Sequence, residues 1–135
     1  MQGLMFTPYP WFSTFSFLLI LAGFAVRRTH RDLHVALMCS GMGLDLIIVL
    51  LLEFSRDAVG VALGSSLTPF QLTHVIASTF AGAFYIPVFV LGYKRWRNPS
   101  APESLRTWHL RLGYLALACR AVGFLFMFSI VGRNA

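Results

Sequence analysis

The sequence predicts an all-α integral membrane protein, a four-helix bundle in which consecutive helices run antiparallel. Of its 135 residues, 57% are hydrophobic and 12% are charged, whereas a soluble domain carries about 25% charged residues. Four apolar segments, each close to the roughly 20 residues that cross a bilayer, alternate with polar or basic stretches. Asp45 and Arg120 lie in the middle of the second and fourth segments. Because a charge at the bilayer centre costs about 2.5–3.5 kcal/mol, we expect these two to pair.

The four segments form a single predicted domain, residues 1–135. The predicted helices cover residues of about 11–26, 34–54, 70–93 and 103–131. In lipid, segments of this length form helices, because a helix satisfies the hydrogen bonds of its own backbone. Thr68 and Gln71 predict a capping box at the start of the third helix, and Ser100 and Glu103 predict another before the fourth. Residues 60–66, rich in Gly and Ser, are predicted to form a flexible external loop.

Basic residues cluster in two of the connections and predict the orientation. They are Arg27, Arg28 and Arg31 between the first and second segments, and Lys94, Arg95, Arg97 and Arg106 between the third and fourth. The positive-inside rule places both clusters in the cytoplasm and both termini on the outer side of a bacterial inner membrane. The net charge is +6, but the basic residues flank apolar segments, as in membrane proteins. They do not alternate with polar side chains that could contact bases, so the charge does not indicate nucleic-acid binding.

Residue spacing relates the second helix to the fourth. His34 precedes Asp45 by eleven residues, and His109 precedes Arg120 by eleven. Each spacing is about three helical turns, or about 16 Å. If the two helices are neighbours, the histidines face each other near the cytoplasmic surface and the charges meet near the midplane. The ion pair is then either part of a proton, ion or quinone path or a buried pair that fixes helix packing. Packing is favoured because no series of acidic residues continues from Asp45.

The histidines are candidate ligands. His34 and His109 could be axial ligands of a haem held between the second and fourth helices, or interfacial groups hydrogen-bonded to headgroups or carbonyls. A further alternative is copper bound by His34 and the thioethers of Met38 and Met42. The competing interpretation is that these methionines fill space in the core. His74 is expected about 30 Å from the cytoplasmic end of its helix, so a three-histidine metal site is not expected.

Several short motifs resemble those of a family of small bacterial membrane proteins of largely unknown function. The family includes CtaM-type proteins of haem-copper oxidase maturation. The matching motifs are DLHVALM at residues 32–38, FQLTHVIA at 70–77, LGYK at 91–94 and WHLRLGY at 108–114. The resemblance spans roughly residues 26–128. Asp45 and Arg120 depart from the family pattern, so we expect a divergent member.

The resemblance implies an accessory or assembly component of a respiratory complex, with the lipid bilayer and other membrane subunits as partners. His34, His74 and His109 are its candidate residues for handling haem or a metal. A haem-binding electron-transfer subunit and a structural subunit of a respiratory or photosynthetic complex are the alternatives. A free-standing enzyme is not expected, because the sequence has no nucleophile–base pair, phosphate loop or zinc-protease motif.

Overall fold

The computed structural model describes residues 8–64 and 66–131, and this part of the chain is all-helical, without strands. Its helices are α1 (Tyr9–Ala25), α2 (Arg31–Arg56), α3 (Ala58–Gly64), α4 (Pro69–Arg97) and α5 (Glu103–Val131). Three stretches are long and apolar enough to cross a membrane: Arg31–Ser55, Pro69–Arg97 and Glu103–Phe128. The helix α1 is apolar as well but has 17 residues. The predicted helical class is therefore confirmed, and the three long spans support a membrane protein.

Local chemistry explains one predicted helix start and corrects another. At the start of α4, the Gln71 amide lies 3.3 Å from Thr68 Oγ1, and the Thr68 amide donates to Gln71 Oε1 at 3.1 Å, which confirms that capping box. The capping box predicted from Ser100 and Glu103 is wrong. The Ser100 hydroxyl instead donates to Asn98 Oδ1 at 2.8 Å, inside the preceding turn, and α5 begins at Glu103.

The loop predicted at residues 60–66 is incorrect for residues 60–64, which belong to the short helix α3 (Ala58–Gly64). Residue 65 lies outside the described residues, and residue 66 is not helical. Asp57 ends α2 in a left-handed conformation, with φ of 46°, which turns the chain into α3. The Glu53 carboxylate accepts a hydrogen bond from the Val59 amide at 2.9 Å. This contact satisfies one of the amides that a helix start leaves unpaired, so a side chain from α2 stabilises a helix made of small and apolar residues.

The long helices pack as two hairpins, one of α1 with α2 and one of α4 with α5, and contacts between the hairpins are sparser. In the first hairpin, Gly41 permits close approach: a Cβ atom there would lie 2.6 Å from Ile20 Cγ1. The Ser16 hydroxyl donates to the Gly41 carbonyl at 2.8 Å across the same contact. The buried core between the hairpins consists of Ile20, Met42, Tyr85, Val88 and Ala116.

Gly41 provides the first test of this packing. Gly41→Ala is expected to lower the free energy of unfolding by about 1–3 kcal/mol, because the added methyl group overpacks against Ile20. Gly43→Ala on the same helix is the matched control, since its Cβ would meet no atom within 4 Å. Thermal unfolding of both variants in one detergent measures the difference. Equal stability of the two variants would contradict the close α1–α2 contact.

Candidate functional site

The side chains of Asp45 and Arg120 form a two-point ion pair in the interior. Arg120 Nε lies 2.7 Å from Asp45 Oδ2, and Arg120 Nη2 lies 2.9 Å from Asp45 Oδ1. The two side chains are 12% and 8% exposed, respectively. Two parallel N–H···O bonds of this kind fix orientation as well as distance, so the pair sets the register of α2 against α5.

Three further side chains complete this contact, which we call the Asp45 network (Ser13, Ser16, Asp45, Tyr85 and Arg120). The Ser16 hydroxyl donates to Asp45 Oδ1 at 2.5 Å, and the Tyr85 hydroxyl donates to Asp45 Oδ2 at 2.6 Å. Arg120 Nη2 also donates to the carbonyl and hydroxyl oxygens of Ser13, at 2.9 and 3.0 Å. The network therefore joins all four long helices.

Hydrogen bonding in the network is complete. The Asp45 carboxylate accepts four hydrogen bonds, which is the number of lone-pair positions it offers. The aromatic rings of Phe17 and Phe124 flank the guanidinium group, with Arg120 Cζ 5.3 and 6.0 Å from their centres. Within the described residues, no buried side-chain nitrogen or oxygen lacks a partner. A carboxylate with every acceptor position occupied supports the packing interpretation over a proton or ion path.

The sequence did not predict that three residues of this site belong to it: Ser13, Ser16 and Tyr85. The sequence did contain a signal for the serines, because residues three apart in an apolar helix lie on one face. For Tyr85 the signal was weaker, since a tyrosine within a span is also typical of packing. Their partner Asp45 is far away in sequence, so their role depended on knowing how α1 and α4 pack.

The three candidate histidines have one contact in common, a hydrogen bond from Nδ1 to a backbone carbonyl on a neighbouring helix. His34 contacts Gly23 at 2.8 Å, His74 contacts Gly123 at 2.6 Å, and His109 contacts Val88 at 3.1 Å. Because a carbonyl can only accept, Nδ1 carries the proton in each of these hydrogen bonds, and in the neutral form of the ring Nε2 is then the nitrogen with the lone pair. His74 contacts the C-terminal half of α5, whereas His109 lies near its start, so His74 does not join the other two.

A cavity of about 760 Å³ lies between the two hairpins and has His34 and His109 in its wall. His34 lies in the part of the wall formed by α2, and His109 lies in the part formed by α5. Much of the wall is apolar, with residues from α1, α2, α4 and α5: Phe24, Met38, Met42, Phe89 and Leu117. The volume falls within the range of about 300–1,000 Å³ typical of sites for organic ligands.

The same cavity has a strongly basic lining where the helix ends meet. Its arginines are Arg27, Arg28, Arg31, Arg95 and Arg106. The Arg31 side chain donates to the Arg95 carbonyl, and Trp96 Nε1 donates to Asp32 Oδ1 at 3.1 Å. These two contacts hold the start of α2 against the end of α4, so the two basic connections lie side by side.

The cavity wall includes two imidazoles and two thioethers among its potential ligands. Among the residues that the structure describes, no group of three or more His, Cys, Asp or Glu side chains could hold a metal. The two imidazoles, by contrast, have the arrangement of ligating histidines, which commonly donate the second ring N–H to a backbone carbonyl. Met38 and Met42 also line the cavity, but Asp45 on the same stripe is bound to Arg120. A copper site there would consist of one imidazole and two thioethers.

Comparison of the chain with protein-family models, with curated proteins and with solved structures finds no match.

The Asp45 network predicts a marked asymmetry between single and double substitutions. Asp45→Leu or Arg120→Leu is expected to cost about 3–5 kcal/mol of folding free energy, because each leaves a buried charge without its partner. The double variant is expected to be more stable than either single variant. Glu103→Gln is the control: it removes an exposed pair with Arg106, 3.4 Å apart, worth at most about 1 kcal/mol. Denaturant unfolding in detergent measures the free energy of unfolding of the unmodified protein, the two single variants and the double variant. If the loss in the double variant equals the sum of the two single losses, the pairing is contradicted.

The histidine tautomers predict a spectroscopic result. In protein labelled with ¹⁵N-histidine, His34, His74 and His109 are expected to show the Nδ1-protonated tautomer, because each Nδ1 donates to a carbonyl. Gly92→Ala is expected to shift only the His109 resonances, since the new Cβ would lie 2.9 Å from His109 Cε1. Gly113→Ala, with open space at its Cβ, is the control. Nε2-protonated rings would disprove this hydrogen-bond arrangement.

Proposed function

We propose that the protein is an integral membrane accessory or assembly component of a respiratory electron-transfer complex of the haem-copper oxidase type. In this proposal α1, α2, α4 and α5 cross the inner (cytoplasmic) membrane of a bacterium as an antiparallel four-helix bundle with both termini on the outer side. The motifs around His34, His74 and His109, which resemble the CtaM-type family, motivate the choice of complex.

Contacts between helix ends support this bundle. The end of α1 meets the start of α2 through Gly23 and His34, and the end of α4 meets the start of α5 through Val88 and His109. The basic connections thus lie at one end, which the positive-inside rule assigns to the cytoplasm. The 17 residues of α1 extend about 25 Å, a little less than the hydrocarbon core of about 30 Å. The exposed Trp11 near its start is suited to the interface.

The outer surface supports a role inside a membrane. Large apolar side chains are exposed along every long helix, including Leu18, Leu50, Ile86 and Leu125. Lipid or the helices of other subunits would cover such a surface, whereas water would not. The connections between the long helices are short, and the longest of them contains α3. The interior cavity and the apolar faces are therefore the surfaces available for function.

The observation that carries the proposal is the cavity wall around His34 and His109. An assembly component has to hold a cofactor or a partner segment and then release it. Hydrogen bonds from Nδ1 to the carbonyls of Gly23 and Val88 orient both imidazoles, and in the neutral ring Nε2 is the atom that can act as a ligand. The surrounding wall includes methionines, whose flexible side chains adapt to different occupants.

A haem-carrying electron-transfer subunit is the second candidate, and the tautomers of His34 and His109 favour it. Bound haem would supply one-electron redox chemistry. The chain would contribute two imidazole ligands and an apolar enclosure. Its signature would be a Soret band in the purified protein that disappears in His34→Ala and in His109→Ala. A purely structural subunit would show no band and would tolerate both substitutions.

Deletion of the gene from its host tests the proposed function. Most terminal oxidase activity is expected to be lost, and a plasmid copy is expected to restore it. His34→Ala and His109→Ala should fail to restore activity, because each removes a cavity imidazole. His30→Ala is the matched control, since His30 is exposed and its side chain has no hydrogen-bond partner in residues 8–64 and 66–131. Immunoblots establish equal amounts of protein, and unchanged oxidase activity in the deletion strain would overturn the proposal.

A further inference from the structure

The arginines of the cavity form a concentration of positive charge that the chain balances only in part. Five arginines line the cavity. The two nearest acidic side chains already have partners: Glu103 pairs with Arg106 at 3.4 Å, and Asp32 accepts a hydrogen bond from Trp96. A cluster of like charges between packed helices is stabilised by an anion that the chain does not itself provide.

Arg95 shares the cavity wall with Arg31 and Arg106. The Arg31 side chain lies against the Arg95 backbone, because it donates to the Arg95 carbonyl. The Arg95 guanidinium has no hydrogen-bond acceptor among the residues described, although it carries five N–H donors. Open guanidinium donors with two further arginines in the same cavity are suited to a phosphate group, which guanidinium groups bind through paired hydrogen bonds.

The rest of the cavity indicates that the anion belongs to an amphiphile. Below the arginines, the wall contains Phe24, Met38, Met42, Phe89 and Leu117, and these side chains offer contacts to hydrocarbon. Gly113 also lines the cavity, and a Cβ built on it meets no atom within 4 Å. A free phosphate ion would use only the basic part of this site.

We propose that the cavity binds an anionic phospholipid, with the phosphate on Arg31, Arg95 and Arg106 and an acyl chain along the apolar wall. The inference rests on the proposed membrane orientation and is independent of the proposed partner complex. In that orientation the arginines lie at the level of the cytoplasmic headgroups, where basic pockets between membrane helices bind anionic lipid. The phospholipid would contact both hairpins and bridge them at the basic end.

Native mass spectrometry of the purified full chain tests this binding. The protein is equilibrated with equal amounts of palmitoyl-oleoyl phosphatidylglycerol and phosphatidylcholine. One phosphatidylglycerol is expected to be retained in preference to phosphatidylcholine. Arg95→Gln is expected to weaken retention about fivefold, the effect of one arginine close to a lipid phosphate. Arg111→Gln is the charge-matched control, because Arg111 lies over Trp108 and outside the cavity.

A second pair of variants tests the acyl-chain part of the site. Gly113→Leu projects a side chain into the open space of the cavity and is expected to abolish retention while leaving all five arginines in place. Gly82→Leu is its control, since Gly82 also has open space at its Cβ but lies outside the cavity. Thermal unfolding shows that each variant is folded before lipid retention is compared.

Four outcomes of the lipid measurement would overturn the inference. They are equal retention of the two lipids, undiminished retention in Arg95→Gln, undiminished retention in Gly113→Leu, and displacement of the lipid by inorganic phosphate, which would identify a free anion as the ligand. A stoichiometric haem complex that depends on His34 and excludes the lipid would assign the cavity to haem instead. Oxidase activity plays no part in this measurement, so its result and that of the gene deletion can be separated.

Discussion

The arrangement of the helices depends on one buried carboxylate. Asp45 is the point at which α1, α4 and α5 all contact α2 through hydrogen bonds. In a lipid environment the hydrophobic effect gives little preference for one helix contact over another, so packing and specific polar bonds decide which helices associate. A carboxylate with four donors has few alternative arrangements, because any other packing would leave a buried charge without its partners. The network thus selects the way in which the two hairpins meet.

The cavity lies between two levels at which polar contacts hold the hairpins together. Polar contacts join them at the Asp45 network and again at the helix ends, through Asp32 and Trp96. Between these levels, Gly92 and Gly113 contribute no side-chain volume, and the space at Gly92 is taken by the His109 ring. The chain therefore surrounds a space that it does not itself fill.

The sequence predicts much of this structure where the signal is carried by spacing within one helix. Eleven-residue intervals place His34 level with His109 and Asp45 level with Arg120, and the structure has the first two in one cavity and the second two in an ion pair. The sequence prediction fails where a side chain has several possible partners nearby. Glu53 in α2 accepts a hydrogen bond from the amide of Val59 in α3, and the Ser100 hydroxyl donates to Asn98, two residues before it. Short motifs do not decide between such competing local partners.

The contacts of the Asp45 network are rigid, whereas those at the basic end of the cavity are adaptable, and this difference is consistent with the proposed role. At the Asp45 network, short hydrogen bonds to one carboxylate allow little rearrangement. At the basic end, methionine side chains and unpaired guanidinium donors surround an open volume, and both can adjust to an occupant. Because α1, α2, α4 and α5 all contribute to the wall, an occupant stabilises the association of the hairpins in proportion to its binding free energy. Occupancy of the cavity is thereby coupled to the packing of the helices, whose outer faces are the surfaces that another membrane subunit would contact.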